Sequence, residues 1–170
     1  GLLELVEALL VCDVPKADLD REKESAAEIV ESNARKRVIA ERFSDPKYYE
    51  KMSALLDEVI KQRKASALKY EEYLQKMHEL ARQIDAGSSD DTPASLDSRG
   101  KAALYHYFND DEELALLVDA AIRAARPDGW RGDLIRERIV RRAIREILKG
   151  TAFDGQVDAV FDIVKAQREY

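Results

Sequence analysis

Arg138, Arg142, Arg145 and Lys149 recur at steps of four, three and four. On an α-helix that spacing places all four cations on one face. Between Arg131 and Lys149 stand seven basic residues against three acidic ones, a local balance of +4. Such a strip, with Arg131 at its head, suits DNA phosphate or an acidic partner surface. The plainer reading is a solvated face whose cations pair with Glu137, Glu146 or neighbouring helices. Arg131, Arg138, Arg142, Arg145 and Lys149 are therefore the candidate contact residues.

Other chemistry has less to build on. A metal-dependent nuclease needs clustered carboxylates and a lysine to activate water. The acidic run Ser89-Asp90-Asp91 reads instead as a solvated linker. Asp110-Asp111-Glu112-Glu113 reads as a helix N-terminus, whose partial positive charge attracts acids. His78 and His106 fall on different helices, and neither has a second ligand three or four residues on, which argues against zinc. The seven glycines are scattered, and Gly150-Thr151 lacks the spacing of a nucleotide loop. Nothing marks a nucleophile elbow. No catalytic, cofactor-binding or metal-binding residue and no small-molecule ligand is expected in this chain.

The elements that would carry the strip are all helical, with no alternating strand pattern. Leu2 to Cys12 is apolar at helical spacing, and Val14-Pro15 breaks it. Asp20 to Arg42 repeats Ala26, Val30, Ala34 and Val38 every four residues. Asp45-Pro46 is a helix start. From Pro46 to about Ala86 there is neither proline nor glycine. Met52, Leu56, Val59, Arg63, Ser66, Tyr70, Tyr73, Met77, Leu80 and Ile84 form a seam of alternating four and three. That pattern predicts one rod of about 40 residues and roughly 60 Å, interrupted chemically at Arg63 and Ser66. The tyrosines and methionines of the seam read as core. Tyr48 and Tyr49 are adjacent, so one of them is expected at the surface.

Gly87 to Ser95 is polar and reads as a mobile linker, dividing the chain into 1–87, 88–96 and 97–170. Four shorter helices follow, at about 97–108, 109–125, 133–149 and 155–168. On the third, Val140, Ala143, Ile144, Ile147 and Leu148 oppose the basic strip and face the core. Between the second and third stands Pro127-Asp128-Gly129-Trp130-Arg131-Gly132. Pro127 ends the helix before it, and Trp130, the only tryptophan, is expected to plug a junction between helices. The expected fold is thus all-α: long antiparallel helices, one of them the rod, plus a small C-terminal bundle.

Composition sets the class. The chain has 170 residues, 45% hydrophobic and 36% charged, with a net charge of −6. That charge argues against a nucleic-acid binder held by bulk attraction, though not against a local strip. No apolar run is long enough to span a membrane, and no signal peptide is apparent. The single cysteine, Cys12, excludes an internal disulfide and reads as a small buried hydrophobe, which fits a reducing cytoplasm. The chain starts without methionine, inside an apparent helix, and is expected to be a piece of a longer protein.

Several pieces share one order: Asn33-Ala34-Arg35-Lys36; Asp45-Pro46-Lys47-Tyr48-Tyr49-Glu50-Lys51-Met52-Ser53 running into Leu55-Leu56; Tyr70-Glu71-Glu72-Tyr73-Leu74. Then come Pro93-Ala94-Ser95-Leu96 with Ala103-Leu104-Tyr105, Asp128-Gly129-Trp130-Arg131-Gly132, and Val164-Lys165-Ala166-Gln167. In these pieces the chain resembles the C-terminal helical domain of the restriction (motor) subunit of type I restriction–modification enzymes. Gly1 to Asp20 and the surroundings of Arg99 and Gly100 depart from that pattern. The resemblance implies a non-catalytic module that docks an ATP-dependent DNA translocase and nuclease onto a methyltransferase–specificity core. It places the parent's nuclease residues, ATP and Mg2+ in upstream domains, so none is carried onto this chain. It also implies DNA in the assembled enzyme, and leaves target recognition to another subunit. The alternatives from the residues alone are a DNA-contacting module working through the arginine strip and a free-standing coiled-coil interaction protein.

Overall fold

A computed structural model describes residues 1–11 and 19–170. The chain is all-α, with eight helices and no strand among the described residues. They are α1 (Leu2–Val11), α2 (Leu19–Glu41), α3 (Pro46–Lys64), α4 (Tyr70–Ala86), α5 (Arg99–Tyr107), α6 (Glu112–Ala125), α7 (Leu134–Leu148) and α8 (Val157–Ala166). Cys12 and the break at Val14-Pro15 lie outside the described residues. No described helix is long and apolar enough to cross a membrane. The helices fall into two compact units: residues 1–41 with 49–87, and residues 42–48 with 88–170.

The first unit is an up-down-up-down arrangement of α1 to α4. α1 runs antiparallel to α4, with Glu7 3.4 Å from His78. α2 runs parallel to α4, with Lys23 over the Tyr70 ring, Tyr73 against Glu31, and Arg37 3.4 Å from Asp85. α3 runs antiparallel to both, joining Tyr49 to Ile84 and Gln62 to Lys76. The four-residue repeat of α2 delivers Val30, Ala34 and Val38 to the interior, where Met52, Leu56, Tyr73, Met77 and Ile84 meet them. The α3 backbone stands farther from its neighbours than α1 stands from α4. Large side chains and ion pairs, Arg63–Glu31 and Arg35–Asp57, bridge from it to α2.

The expected 40-residue rod is instead two helices. Lys64 ends α3, and Ser66 adopts a left-handed φ of 54°. Ala65-Ser66-Ala67-Leu68 supplies no proline and no glycine, so nothing local announces a turn. The break follows from packing: folding back lets α4 bury Tyr73, Leu74, Met77, Leu80, Ala81 and Ile84 within the bundle, where a straight rod would leave an apolar seam in water. Arg63, an interruption in the seam, donates two hydrogen bonds to Glu31 at 2.6 and 3.1 Å. The Tyr73 hydroxyl donates to the same carboxylate at 3.2 Å, and burial together with that negative neighbour pushes its pKa up.

The two adjacent tyrosines are both buried, contrary to the expectation that one is exposed. Tyr49 donates its hydroxyl to the carbonyl of Ile84 at 2.9 Å in the first unit. Tyr48 stacks on His106 in the second, with ring centres 4.8 Å apart.

The second unit is built from α5 to α8 around Leu104, Phe108, Val118, Ile122, Trp130, Val140, Ile144, Leu148, Val160 and Phe161. Side-chain caps fix its helix starts: Ser98 accepts from Lys101 N, Asp111 from Leu114 N, and Asp133 from Ile135 N and Arg136 N. Asp110 and Asp111 thus belong to a helix start, as their position implied. Residues 88–98 run as turns, in which Thr92 bonds Ser89, Leu96 N bonds the carbonyl of Pro93, and Leu96 is buried in this unit's core.

Candidate functional site

Asp128-Gly129-Trp130-Arg131-Gly132 is the centre of a polar cluster in the second unit. α6 stops at Ala125, and Arg126, the residue before Pro127, is extended with ψ of 125°. Gly129 and Gly132 both adopt positive φ, 60° and 84°, which turns the chain twice within four residues. Trp130 is thereby driven inward, where it packs edge-on to Phe161 with ring centres 5.6 Å apart. Its indole N–H donates to the carbonyl of Tyr170 at 3.1 Å.

Arg131 works on the same tail. It donates to the carbonyls of Lys165 at 3.1 Å, Tyr170 at 2.8 Å and also Gln167. Tyr170 is buried and donates its hydroxyl to Asp119 at 2.6 Å. Burial and that carboxylate push the phenol's pKa up. Glu169 accepts from Gly100 N at 3.0 Å and Ser98 Oγ at 2.8 Å. A Cβ at Gly100 would lie 2.8 Å from the Tyr170 ring. The segment 167–170 is therefore clasped from α5, α6 and the Trp130 turn. Glu137 completes the cluster, taking Gly132 N at 2.9 Å and Lys165 Nζ at 2.7 Å, which holds its carboxyl below the usual range.

A second knot joins residues 42–48 to α5 and α8. His106 Nδ1 lies 2.6 Å from Asp45 Oδ2, and Tyr48 N donates to Asp45 Oδ1 at 3.1 Å. Burial raises the pKa of Asp45 against the opposing pull of His106. Gln167 donates to the carbonyl of Ser44 at 2.6 Å, and Lys47 to Asn109 at 2.6 Å. His106 is thus a structural partner of a carboxylate. Among the described residues no three His, Cys, Asp or Glu side chains gather as a metal site would require.

The candidate contact residues separate into two kinds. Arg131 is committed to the tail carbonyls and lies 4.7 Å from the Trp130 ring centre. Arg138, Arg142 and Arg145 are exposed on one face of α7 and Lys149 is exposed at its C-cap, and no side chain of the four has an ion pair or hydrogen-bonding partner among the described residues. The pairing that could have consumed the strip goes to other arginines: Arg136 to Asp133 and the carbonyl of Asp128, Arg141 to Asp158 and the Phe161 ring. Opposite the strip, Val140, Ile144 and Leu148 are fully buried, as their spacing required.

Sequence reasoning missed the apolar part of this face. Leu134 is 75% exposed and Ile135 73%, with Ile139 at 43%. Leu134 and Ile135 lie one turn before Arg138, so the outer face of α7 runs from apolar at its start to basic at its end. The signal was present as two large apolar residues immediately after an N-cap, on the side away from Val140. Compared with family models, curated proteins and solved structures, the chain matches none of them.

Proposed function

We propose that this chain is a non-catalytic helical assembly module, and that it docks the motor and nuclease part of a type I restriction enzyme onto a methyltransferase–specificity core. The observation that carries a docking role is the outer face of α7, where three large apolar side chains and four unpaired cations stand in solvent together. Adjacent large apolar side chains in solvent beside uncommitted charge favour an association surface. The resemblance in residues 33–36, 45–56, 70–74, 93–96, 103–105, 128–132 and 164–167 supplies the identity of the partner.

Mixing the purified chain with the methyltransferase–specificity core, followed by gel filtration and calorimetry, tests the proposal. Co-elution is expected, and Leu134→Glu with Arg138→Glu should weaken binding by about tenfold or more, as truncating desolvated anchors does. A core that passes through unbound overturns the reading.

The unpaired strip also favours a second reading, a DNA-contacting module. That reading expects duplex binding that falls steeply with salt and is lost in Arg138→Glu with Arg142→Glu. Leu134 and Ile135 weigh toward protein, because phosphates offer aliphatic side chains no apolar surface. The coiled-coil alternative drew on the heptad-like seam, most of which α3 and α4 bury inside the first unit.

A further inference from the structure

The first unit carries a groove between α3 and α4, of about 690 Å³. Leu55, Val59, Leu68 and Leu80 are its apolar lining, and Leu55 is 41% exposed. Exposed Glu58, Glu72 and Glu79 stand along it against a single lysine, Lys76. The groove exists because α3 stands off from its neighbours and the chain turns back at Ser66. Along α4 it runs from Glu72 to Gln83, about three helical turns or roughly 16 Å. The outer face of α7 has the opposite character: Leu134, Ile135 and Ile139 beside Arg138 and Arg142.

From this complementarity of shape, apolarity and charge, we infer that the α7 face of one copy of this chain seats in the α3–α4 groove of a second copy. Helix-in-groove docking places apolar anchors on the groove floor and flanking charges on its rim. Here Leu134, Ile135 and Ile139 meet Leu55, Val59 and Leu80, and the arginines meet Glu58 and Glu72. The contact is head-to-tail, so a pair of copies retains one open groove, on the copy that gave its face, and one open face, on the copy that gave its groove, and association grows with concentration. It goes beyond the docking role proposed above, and it competes with that role because the α7 face holds one occupant at a time.

Sedimentation equilibrium of the full chain over a wide concentration range tests it without any other protein. Wild-type chain should rise in average mass with concentration, and less so at high salt. Arg138→Glu with Arg142→Glu, and separately Glu58→Arg with Glu72→Arg, should each lower the association constant by about tenfold or more. An equimolar mixture of the two variants should associate within about twofold of wild type, since the acidic face of one variant meets the basic groove of the other and the remaining face and groove keep their wild-type polarity. Leu134→Ser with Ile135→Ser, both surface changes, should weaken association whatever the salt. A monomer at all concentrations, charge variants that associate like wild type, or a mixture that fails to recover each overturns the inference.

Discussion

Glu137 is a buried carboxylate held by one ammonium, Lys165, and one backbone N–H, that of Gly132. Both favour its charged form, so its pKa is lower folded than the ordinary 4.5. Its stabilisation is therefore complete above that value and is lost as pH falls through the folded value. Glu137→Gln should show this directly: the variant's deficit in urea midpoint at pH 7 narrows as pH drops below 4.5. A deficit that stays constant with pH would mean that charge plays no part. The role of Glu137 was invisible in the sequence, where it looked like a surface partner for the arginine strip. Five residues separate it from Gly132 and 28 from Lys165, and only the turn at Trp130 brings all three together. Trp130 itself was readable, because a lone tryptophan among glycines at a helix junction has few places to go but inward.

The elements were readable for a different reason. Helix positions depend on contacts three and four residues apart, which spacing records, and on caps such as Asp111 and Asp133, which are local. The exception is the break between α3 and α4. Ser66 at φ 54° pays the steric cost of a left-handed L-residue, about 1–2 kcal/mol. Ser66→Gly should raise stability by about 0.5–1 kcal/mol, once the greater chain entropy of glycine is subtracted. Ser66→Val, branched at Cβ, should lower it by about 1–2 kcal/mol. Chemical denaturation of the three proteins checks both signs, and a stabilising valine would show that the helix prefers to run on. The seam pattern misled because both halves are amphipathic with nearly continuous phase, so periodicity alone does not distinguish a rod from a hairpin.

At the scale of the molecule, the last four residues hold the second unit together. Residues 167–170 satisfy Trp130 Nε1, Arg131, Gly100 N and Asp119, and they bury Tyr170. Deleting them leaves several buried polar groups unmade, each costing about 1–3 kcal/mol, and empties the site of an aromatic ring. The expected result is unfolding at markedly lower denaturant, followed by the red shift of Trp130 emission. An unchanged transition would show that the clasp is dispensable.

The order of residues alone determined an all-helical chain, most helix limits, the buried face of α7 and the one-sided basic strip, because each rests on neighbours within about four positions. It did not determine the turn at Ser66, the Asp45–His106 and Gln167–Ser44 knot, the clasp on Tyr170, or which arginines remain unpaired. The knot and the clasp depend on partners 34 to 123 positions away, and the choice among competing partners is made by burial and hydrogen bonding in the folded chain.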